Sequence, residues 1–88
     1  MAAYKILFDM EVKKDLTKLP KKISGNILKK VLALEYQPRP PQSLKLSGTE
    51  GIYRLRVGDY RVIYSINDPL KEVIVYHIRN RKEAYRDF

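Results

Sequence analysis

Two short runs of alternating apolar and polar residues lie on either side of Gly58 and Asp59, between positions 53 and 64. This pattern predicts a β-hairpin, because Gly in the first position of a two-residue loop suits a type II′ turn, whose twist matches that of paired strands. The turn determines the register, and directly opposed residues share a face of the sheet. One face of the hairpin is therefore predicted to be apolar. Its members are Tyr53, Leu55, Val57, Tyr60, Val62 and Tyr64.

The other face of the predicted hairpin carries Arg54, Arg56 and Arg61 together with Ile63. Arg56 lies directly opposite Arg61, and like charges in that arrangement destabilise a sheet. Two explanations stay open. The face is either a solvated outer surface on which long side chains splay apart, or a binding site for an anion with several charges. Phosphate is the obvious candidate, because its oxygens accept two parallel hydrogen bonds from a guanidinium group.

The first part of the chain predicts a strand followed by two helices. Positions 4–8 alternate imperfectly, as in a strand, and Asp9 can cap a helix over positions 10–19. Pro20 ends this helix, and a second helix is predicted from about position 21 to position 36. Each helix has an apolar stripe, so the two are expected to pack as an antiparallel pair against the sheet.

The rest of the chain predicts a connector, a central strand and a short terminal helix. Positions 37–42 are proline-rich and predict a stiff extended connector, and positions 44–48 lead from it into the hairpin. Positions 72–78 are almost continuously apolar, which is typical of a strand buried on both faces. Asn80 with an acidic residue three positions later resembles a capping box, so a helix is expected to begin there. The predicted order is β-α-α-β-β-β plus a short C-terminal helix. This is a single α+β domain over residues 1–88, with a small antiparallel-rich sheet and a helical hairpin packed on one face.

The charge of the chain indicates a polyanionic partner. The 88 residues carry a formal charge of +8 and give a pI of about 9.8. RNA, DNA, an acidic protein and a membrane surface all remain open as partners on this ground. No run of about 18 apolar residues is present, so no membrane span is predicted. The absence of Cys excludes disulfides and thiol chemistry and allows a reducing compartment.

The residues that bear reactive groups favour one type of chemistry. A single His and no Cys exclude the common zinc sites, and the scattered acids argue against a two-metal nuclease. His77 is interpreted as a core or edge residue. Arginines and tyrosines remain, and they suit cleavage of RNA by its own 2′-hydroxyl group. In that reaction the protein holds the phosphate and offsets its developing charge, while a Tyr stacks on a base. No metal and no cofactor are predicted.

Three stretches of the chain resemble the RelE/ParE toxin superfamily. The first is Leu46-Ser47-Gly48 followed by positions 53–64, the second is positions 77–85, and the third is the helix pair with Asp15-Leu16 and Lys18-Leu19-Pro20. The second stretch resembles a His-Arg-x-x-x-Tyr-type motif near the C-terminus of that family. The resemblance covers nearly the whole chain and implies a RelE-like fold. It also implies a small toxin of a type II toxin–antitoxin pair. RelE-type members enter the ribosomal A site and cut the bound mRNA.

The resemblance also implies roles for individual residues, which are carried over by position. Arg56 and Arg61 would contact the scissile phosphate, Arg81 would help the leaving group, and Tyr85 would stack on or orient the substrate. These four are the implied catalytic residues. The implied contacts to substrate or other RNA are Arg54, Lys45, Arg79, Lys82 and Arg86.

Two positions depart from the pattern of the family. Some ribonucleolytic members have Lys near Arg54 and Arg56, whereas a guanidinium group is a poor general base. Lys45 or Lys82 would then supply any base that the reaction needs, or Arg56 acts only electrostatically. The position that often holds His before the late arginine is Asn80.

The leading hypothesis is a ribosome-dependent, metal-independent endoribonuclease that acts in the cytoplasm and inhibits translation. Its expected partners are the 70S ribosome, mRNA and a cognate RelB-like antitoxin with an acidic toxin-binding segment, in a hetero-oligomer, with no membrane partner. Two alternatives stay open. One is a ParE-like inhibitor of DNA gyrase, and the other is a standalone basic binding module or decayed toxin.

Overall fold

The structure is a computed structural model that describes residues 3–48 and 50–80. Its elements in chain order are β1 Lys5–Phe8, α1 Met10–Lys18, α2 Lys21–Leu32, a 3₁₀ turn Ala33–Glu35, β2 Ser43–Lys45, β3 Ile52–Val57, β4 Tyr60–Asn67 and β5 Glu72–Asn80.

The strands form one five-stranded sheet in the order β1-β5-β4-β3-β2. β1 and β5 are parallel, and the other neighbours are antiparallel. The predicted α+β class with an antiparallel-rich sheet is confirmed. The prediction that positions 44–48 only lead into the hairpin was wrong, because Ser43–Lys45 pair with β3 as an additional edge strand. A strand of three residues is too short for alternation to reveal it.

The helices differ from the predicted ones in one cap and in one boundary. Asp9 occupies the N-cap position of α1, but its side chain makes no cap hydrogen bond, and its backbone carbonyl accepts from the N–H groups of Val12 and Lys13. α2 ends at Leu32 and tightens into the 3₁₀ turn instead of continuing to position 36. The carbonyl of Glu35 at the end of this turn accepts a hydrogen bond from a residue just before β1. The backbone next to β1 therefore supplies a hydrogen-bond donor to a carbonyl group at the end of this helical segment.

The core lies between the helices and one face of the sheet. The predicted apolar face of the hairpin points into it, with Leu55, Val62 and Tyr64 each at most 1% exposed. Tyr53 stacks on Tyr64 with ring centroids 5.8 Å apart. The buried cluster consists of Val12, Ile27, Val31, Leu34, Leu55, Val62, Tyr64, Ile66, Val73, Val75 and Ile78.

The register of the hairpin is the predicted one. Val57 lies opposite Tyr60 and Arg56 lies opposite Arg61. Gly58 has a φ of +60°, whereas Asp59 does not have a positive φ, which is the combination that a type II′ turn requires. The backbone of the turn therefore directs the arginines and the core residues to opposite faces of the sheet.

Candidate functional site

The arginine face of the hairpin lines an open groove with a volume of about 540 Å³. Arg54 and Arg56 extend from β3 and Arg61 extends from β4, while residues 41–44 form the wall on the side of β2. We call this feature the arginine groove. Among residues 3–48 and 50–80, its lining contains three cations and no acid. A concave surface with one sign of charge concentrates the field, so the groove is suited to a polyanion.

Arg61 is the most unusual residue of the arginine groove, because it is only 5% exposed. Its Nη1 donates to the carbonyl of Tyr60 over 3.2 Å and, more weakly, to that of Gly58 over 3.5 Å. Its Nε is buried without a hydrogen-bond partner. Within the part of the chain that the structure describes, no carboxylate forms an ion pair with it. The alternative of a solvated outer face therefore does not hold for Arg61.

A third arginine lies in line with the opposed pair of the hairpin. Arg61 pairs with Arg56 on one side and with Arg79 of β5 on the other. Opposed residues share a face, so three guanidinium-bearing side chains form a row across β3, β4 and β5. Three like charges in one row disfavour the sheet by electrostatic repulsion, which is the pattern expected where an anion is to be bound.

A β-bulge in β5 brings Arg79 to this face. Val75 is fully buried in the core, and strict alternation from there would point His77 and Arg79 into the core as well. The pairing of β5 with β4 shifts by one residue at this point, which leaves Tyr76 as the extra residue. Ile78 then enters the core, and the two polar residues face the arginine side. Bulges often redirect side chains in this way beside functional sites.

Arg79 is held from two directions. Its Nη1 donates to Oδ2 of Asp15 on α1 over 3.3 Å and to the backbone carbonyl of Ile78 over 3.2 Å. Its Nη2 lies 3.1 Å from Nδ1 of His77, two residues earlier on the same strand. The two side chains of the ion pair are 24% and 26% exposed. This contact between helix and sheet therefore sets where the guanidinium of Arg79 lies.

The wall of the arginine groove is held by contacts of the proline-rich connector. Arg39 donates two hydrogen bonds to the carboxylate of Asp68, over 2.8 and 3.3 Å, and its Nε donates to the hydroxyl of Tyr53 over 3.0 Å. The hydroxyl of Tyr64 donates to the carbonyl of Pro38 over 2.7 Å. These bonds tie the connector to β3, to β4 and to the turn after β4.

The ionisation of these groups follows from their contacts. The hydrogen bond from Arg39, followed by the one from Tyr4, lowers the pKa of Asp68 to about 2. The hydrogen bond to Asp68, followed by the one to Tyr53, raises the pKa of Arg39. Burial raises the pKa of Tyr64 to about 12. The ion pair therefore stays charged, and the phenol stays neutral, over the whole physiological range of pH.

Among the described residues, the predicted RNA contacts Lys45 and Arg79 do not line the arginine groove. Lys45 is exposed and pairs with Tyr53, which packs on the core side of the sheet. The side chain of Lys45 therefore starts from the face opposite to the arginine groove. Asn80 is the last residue of β5, and the terminal helix predicted to begin there lies outside the described residues. The same holds for Arg81, Lys82, Tyr85 and Arg86.

Sequence reasoning missed the residues that hold the arginines in place. Asp15 and Arg79 are separated by 64 positions in the chain, and Arg39 and Asp68 by 29. No local pattern marks such a pair, because each partner looks like an ordinary surface charge in its own segment. One signal of a bulge was available. Val73 and Ile78 are both apolar, but strict alternation places two residues that are five positions apart on opposite faces of a strand.

Two further properties of the described residues concern the requirements of a metal site and of a membrane-spanning helix. Within residues 3–48 and 50–80, no cluster of three or more His, Cys, Asp or Glu side chains is placed to hold a metal ion. No helix in this part of the chain combines the length and the apolar character that a membrane crossing requires.

Comparison with known proteins gives consistent matches. The family described as the ParE toxin of type II toxin-antitoxin systems, parDE, matches residues 6–85. The curated Toxin RelE of Mycobacterium tuberculosis (strain ATCC 25618 / H37Rv) is 33% identical over 85 residues, which covers 94% of this chain and 87% of that protein.

Solved structures with the same fold include two RelE toxins. The chain in the archaeal RelE–RelB complex from Pyrococcus horikoshii OT3 is 37% identical with a TM-score of 0.80, over 89% of this chain and 94% of that one. The isolated E. coli RelE toxin is 27% identical with a TM-score of 0.78, over 97% of this chain and 94% of that one. The predicted RelE-like fold is thereby confirmed.

Proposed function

The chain belongs to the ParE toxin family of type II toxin–antitoxin systems, within the RelE/ParE superfamily, and on this premise we propose that it is a toxin that cleaves mRNA on the ribosome. In this proposal the substrate backbone lies in the arginine groove. The reaction proceeds in the cytoplasm, where translating ribosomes are found, and it inhibits translation.

The observation that carries this proposal is the buried, incompletely bonded guanidinium of Arg61 in the lining of a groove with two further arginines. A buried donor without a partner costs about 1–3 kcal/mol of stability. A fold under selection for stability alone would replace it. A phosphate in the groove would supply the missing acceptor and would also lower the repulsion along the row of arginines.

The chemistry needs little from the protein beyond charge and orientation. The 2′-hydroxyl of the substrate loses its proton to water, its oxygen forms a new bond to the adjacent phosphorus, and the P–O5′ bond breaks in line with it as the 5′-oxygen takes up a proton. Negative charge accumulates on the phosphoryl oxygens during this step. Arg56 and Arg61 would offset that charge through fixed donors, and Arg54 would hold the neighbouring backbone. A guanidinium group offers donors and charge without a metal ion, whereas it is poorly suited to remove a proton.

Residues outside the described part complete the proposal. Arg81 would assist the leaving 5′-oxygen, and Tyr85 would stack on or orient a base. Arg79, Lys82 and Arg86 would contact RNA, which gives an affinity that falls as salt rises. Lys45 would contact RNA only from the edge of the sheet, since its register directs it away from the groove.

The proposed partners follow the same logic. RelE is bound to RelB in the Pyrococcus horikoshii complex and in the intact E. coli RelBE complex. We therefore include a RelB-like antitoxin as the neutralising partner. A protein of charge +8 favours an acidic toxin-binding segment in that antitoxin, because complementary charge speeds association.

Primer extension on mRNA translated by purified 70S ribosomes tests the proposal. The wild-type protein should produce new 5′ ends within codons, at which reverse transcription stops. Arg61→Ala and Arg81→Ala should each lower the cleavage rate by about 10²-fold or more, as the loss of one donor to a developing oxyanion does. Arg56→Lys keeps the charge and should retain more activity than Arg56→Ala. Lys13→Ala, which removes an exposed cation from α1, is the matched control and should cleave normally.

Inhibition of DNA gyrase is the second candidate, because the family that matches the chain is described by its ParE toxin. A gyrase poison acts by binding protein and needs no cluster of arginines in a groove. A supercoiling assay run beside the primer extension separates the two. Inhibited supercoiling with intact mRNA would establish the gyrase function and overturn the proposed one.

A further inference from the structure

We propose that Asp15 and His77 are positioning residues that hold Arg79 in place as a fourth cation, next to the three arginines that line the arginine groove. This inference rests on the proposed function and adds to it two residues to which the sequence analysis gave no functional role. Neither residue is expected to touch the substrate. Each acts through the guanidinium of Arg79.

The guanidinium of Arg79 needs partners that fix its orientation. It shares its cross-strand row with Arg56 and Arg61, and repulsion within the row favours any rotamer that takes its guanidinium away into solvent. A long side chain also loses rotamer entropy when it is fixed. Without partners, an arginine in this position would be spread over many orientations, and its contribution to phosphate binding would fall accordingly.

The fold brings Asp15 to the right place. β1 pairs with β5 only as far as Phe8 opposite Val75, and α1 follows directly and packs beside the continuing part of β5. From there the carboxylate of Asp15 reaches Nη1 of Arg79. Both side chains are about three-quarters buried, so water screens this ion pair less than it screens an exposed one.

A further contact to Arg79 comes from His77. A guanidinium nitrogen can only donate, so Nδ1 of His77 must accept the hydrogen bond from Nη2 of Arg79. The hydrogen of the neutral ring is then on Nε2. With Nη1 held by the helix and Nη2 held by the strand, the plane of the guanidinium cannot rotate freely. The bulge at Tyr76 is what places His77 and Arg79 on the same side of the sheet.

The simpler explanation is that the Asp15–Arg79 ion pair only fastens α1 to the sheet. A double-mutant cycle on the single-turnover rate of mRNA cleavage distinguishes the two. Positioning predicts that Asp15→Asn and His77→Leu each lower the rate about tenfold, since small misplacements of a reacting group have effects of this order. Both losses should shrink to less than about twofold in an Arg79→Ala background, because non-additivity marks residues that act together.

Matched variants and a second readout complete the test. Glu11→Gln removes another carboxylate from the same helix, where it is exposed, and should leave the rate unchanged. His77→Asn keeps an acceptor near the position of Nδ1 and should recover most of the loss of His77→Leu. In ¹⁵N NMR of the free protein, His77 should show the Nε2–H tautomer, and Arg79→Ala should produce a mixture of both tautomers.

The outcomes separate the inference from the function on which it rests. Wild-type protein that cleaves no mRNA but shows the Nε2–H tautomer would overturn the proposed function and keep the positioning of Arg79. Normal cleavage with additive losses across the cycle, or with no loss in Asp15→Asn and His77→Leu, would overturn the inference alone. An Nδ1–H tautomer in the wild type would overturn it as well.

Discussion

Replacing Arg61 by Met should make the protein more stable while it removes the proposed activity. Arg61 is buried, its Nε has no hydrogen-bond partner, and its two bonds to backbone carbonyls are 3.2 and 3.5 Å long. Met fills a similar elongated volume with apolar, adaptable groups. The substitution therefore removes a buried charge without leaving a partner carboxylate behind, which is the situation in which exchange for an apolar residue tends to be neutral or stabilising.

The magnitude can be worked out from the contacts. The unpaired donor accounts for about 1–3 kcal/mol, and relief of repulsion from Arg56 and Arg79 adds up to about 1 kcal/mol for each. Loss of the two long carbonyl bonds subtracts about 1–2 kcal/mol. Taken at their midpoints, these terms give a net gain of about 1–2 kcal/mol in the free energy of unfolding. For a domain of this size, each kcal/mol raises Tm by about 4–8 °C.

Urea unfolding followed by circular dichroism measures this change, with Arg56→Met as the control. Arg56 is exposed, so its substitution relieves at most its repulsion with Arg61, up to about 1 kcal/mol, and should stabilise the protein less than Arg61→Met does. Inorganic phosphate should stabilise the wild type by binding only the folded state and should have no such effect on Arg61→Met. A decrease of stability by about 1 kcal/mol or more in Arg61→Met would refute the reasoning, because it would show that the guanidinium is a structural part of the turn.

Three further predictions concern the framework around the arginine groove. Because Arg39 lowers the pKa of Asp68 to about 2 in the folded state, the stabilisation from this ion pair should be complete above about pH 4 and be lost as the pH falls towards 2. Between pH 6 and pH 3, the urea concentration at the unfolding midpoint should fall less for Asp68→Asn than for the wild type. Tyr64→Phe removes the bond to the Pro38 carbonyl and should lower the free energy of unfolding by about 1 kcal/mol in urea titrations. Since burial raises the pKa of Tyr64 to about 12, the wild type should also lose stability between about pH 10 and 12, and Tyr64→Phe should lose less. Gly58→Ala forces a side chain into a φ of +60° and should lower Tm by several degrees, with about 1 kcal/mol lost; an unchanged Tm would contradict the type II′ geometry.

Much of the architecture follows from local rules. Strand faces alternate at every residue, and a two-residue turn leaves one possible register, so the pairing of Arg56 with Arg61 and the burial of Leu55, Val62 and Tyr64 could be predicted from the order of the residues. The apolar stripes of the two helices and the role of Pro20 as a helix end are of the same kind. Each depends on residues within one or two turns of each other, where spacing and backbone geometry decide the outcome.

The completion of the site could not be inferred from such patterns. The sequence predicts Arg79 as an RNA contact, but the alternation that starts at Val73 would point it into the core, and only the pairing of β5 with β4 reveals the extra residue at Tyr76. The burial of Arg61 is likewise hidden, because a charged residue between two apolar ones looks solvent-exposed in a strand of period two.

The amino-acid sequence by itself determined most of the secondary elements, the hairpin register and the face on which three of the arginines lie. Tertiary structure decided which arginine is buried, which arginine joins the row from β5, and which carboxylates hold Arg39 and Arg79 in place. The physical reason is the range of the interactions. Turn geometry and side-chain period act between near neighbours, whereas a bulge register and an ion pair across 64 positions depend on how separate elements fit together in the folded state.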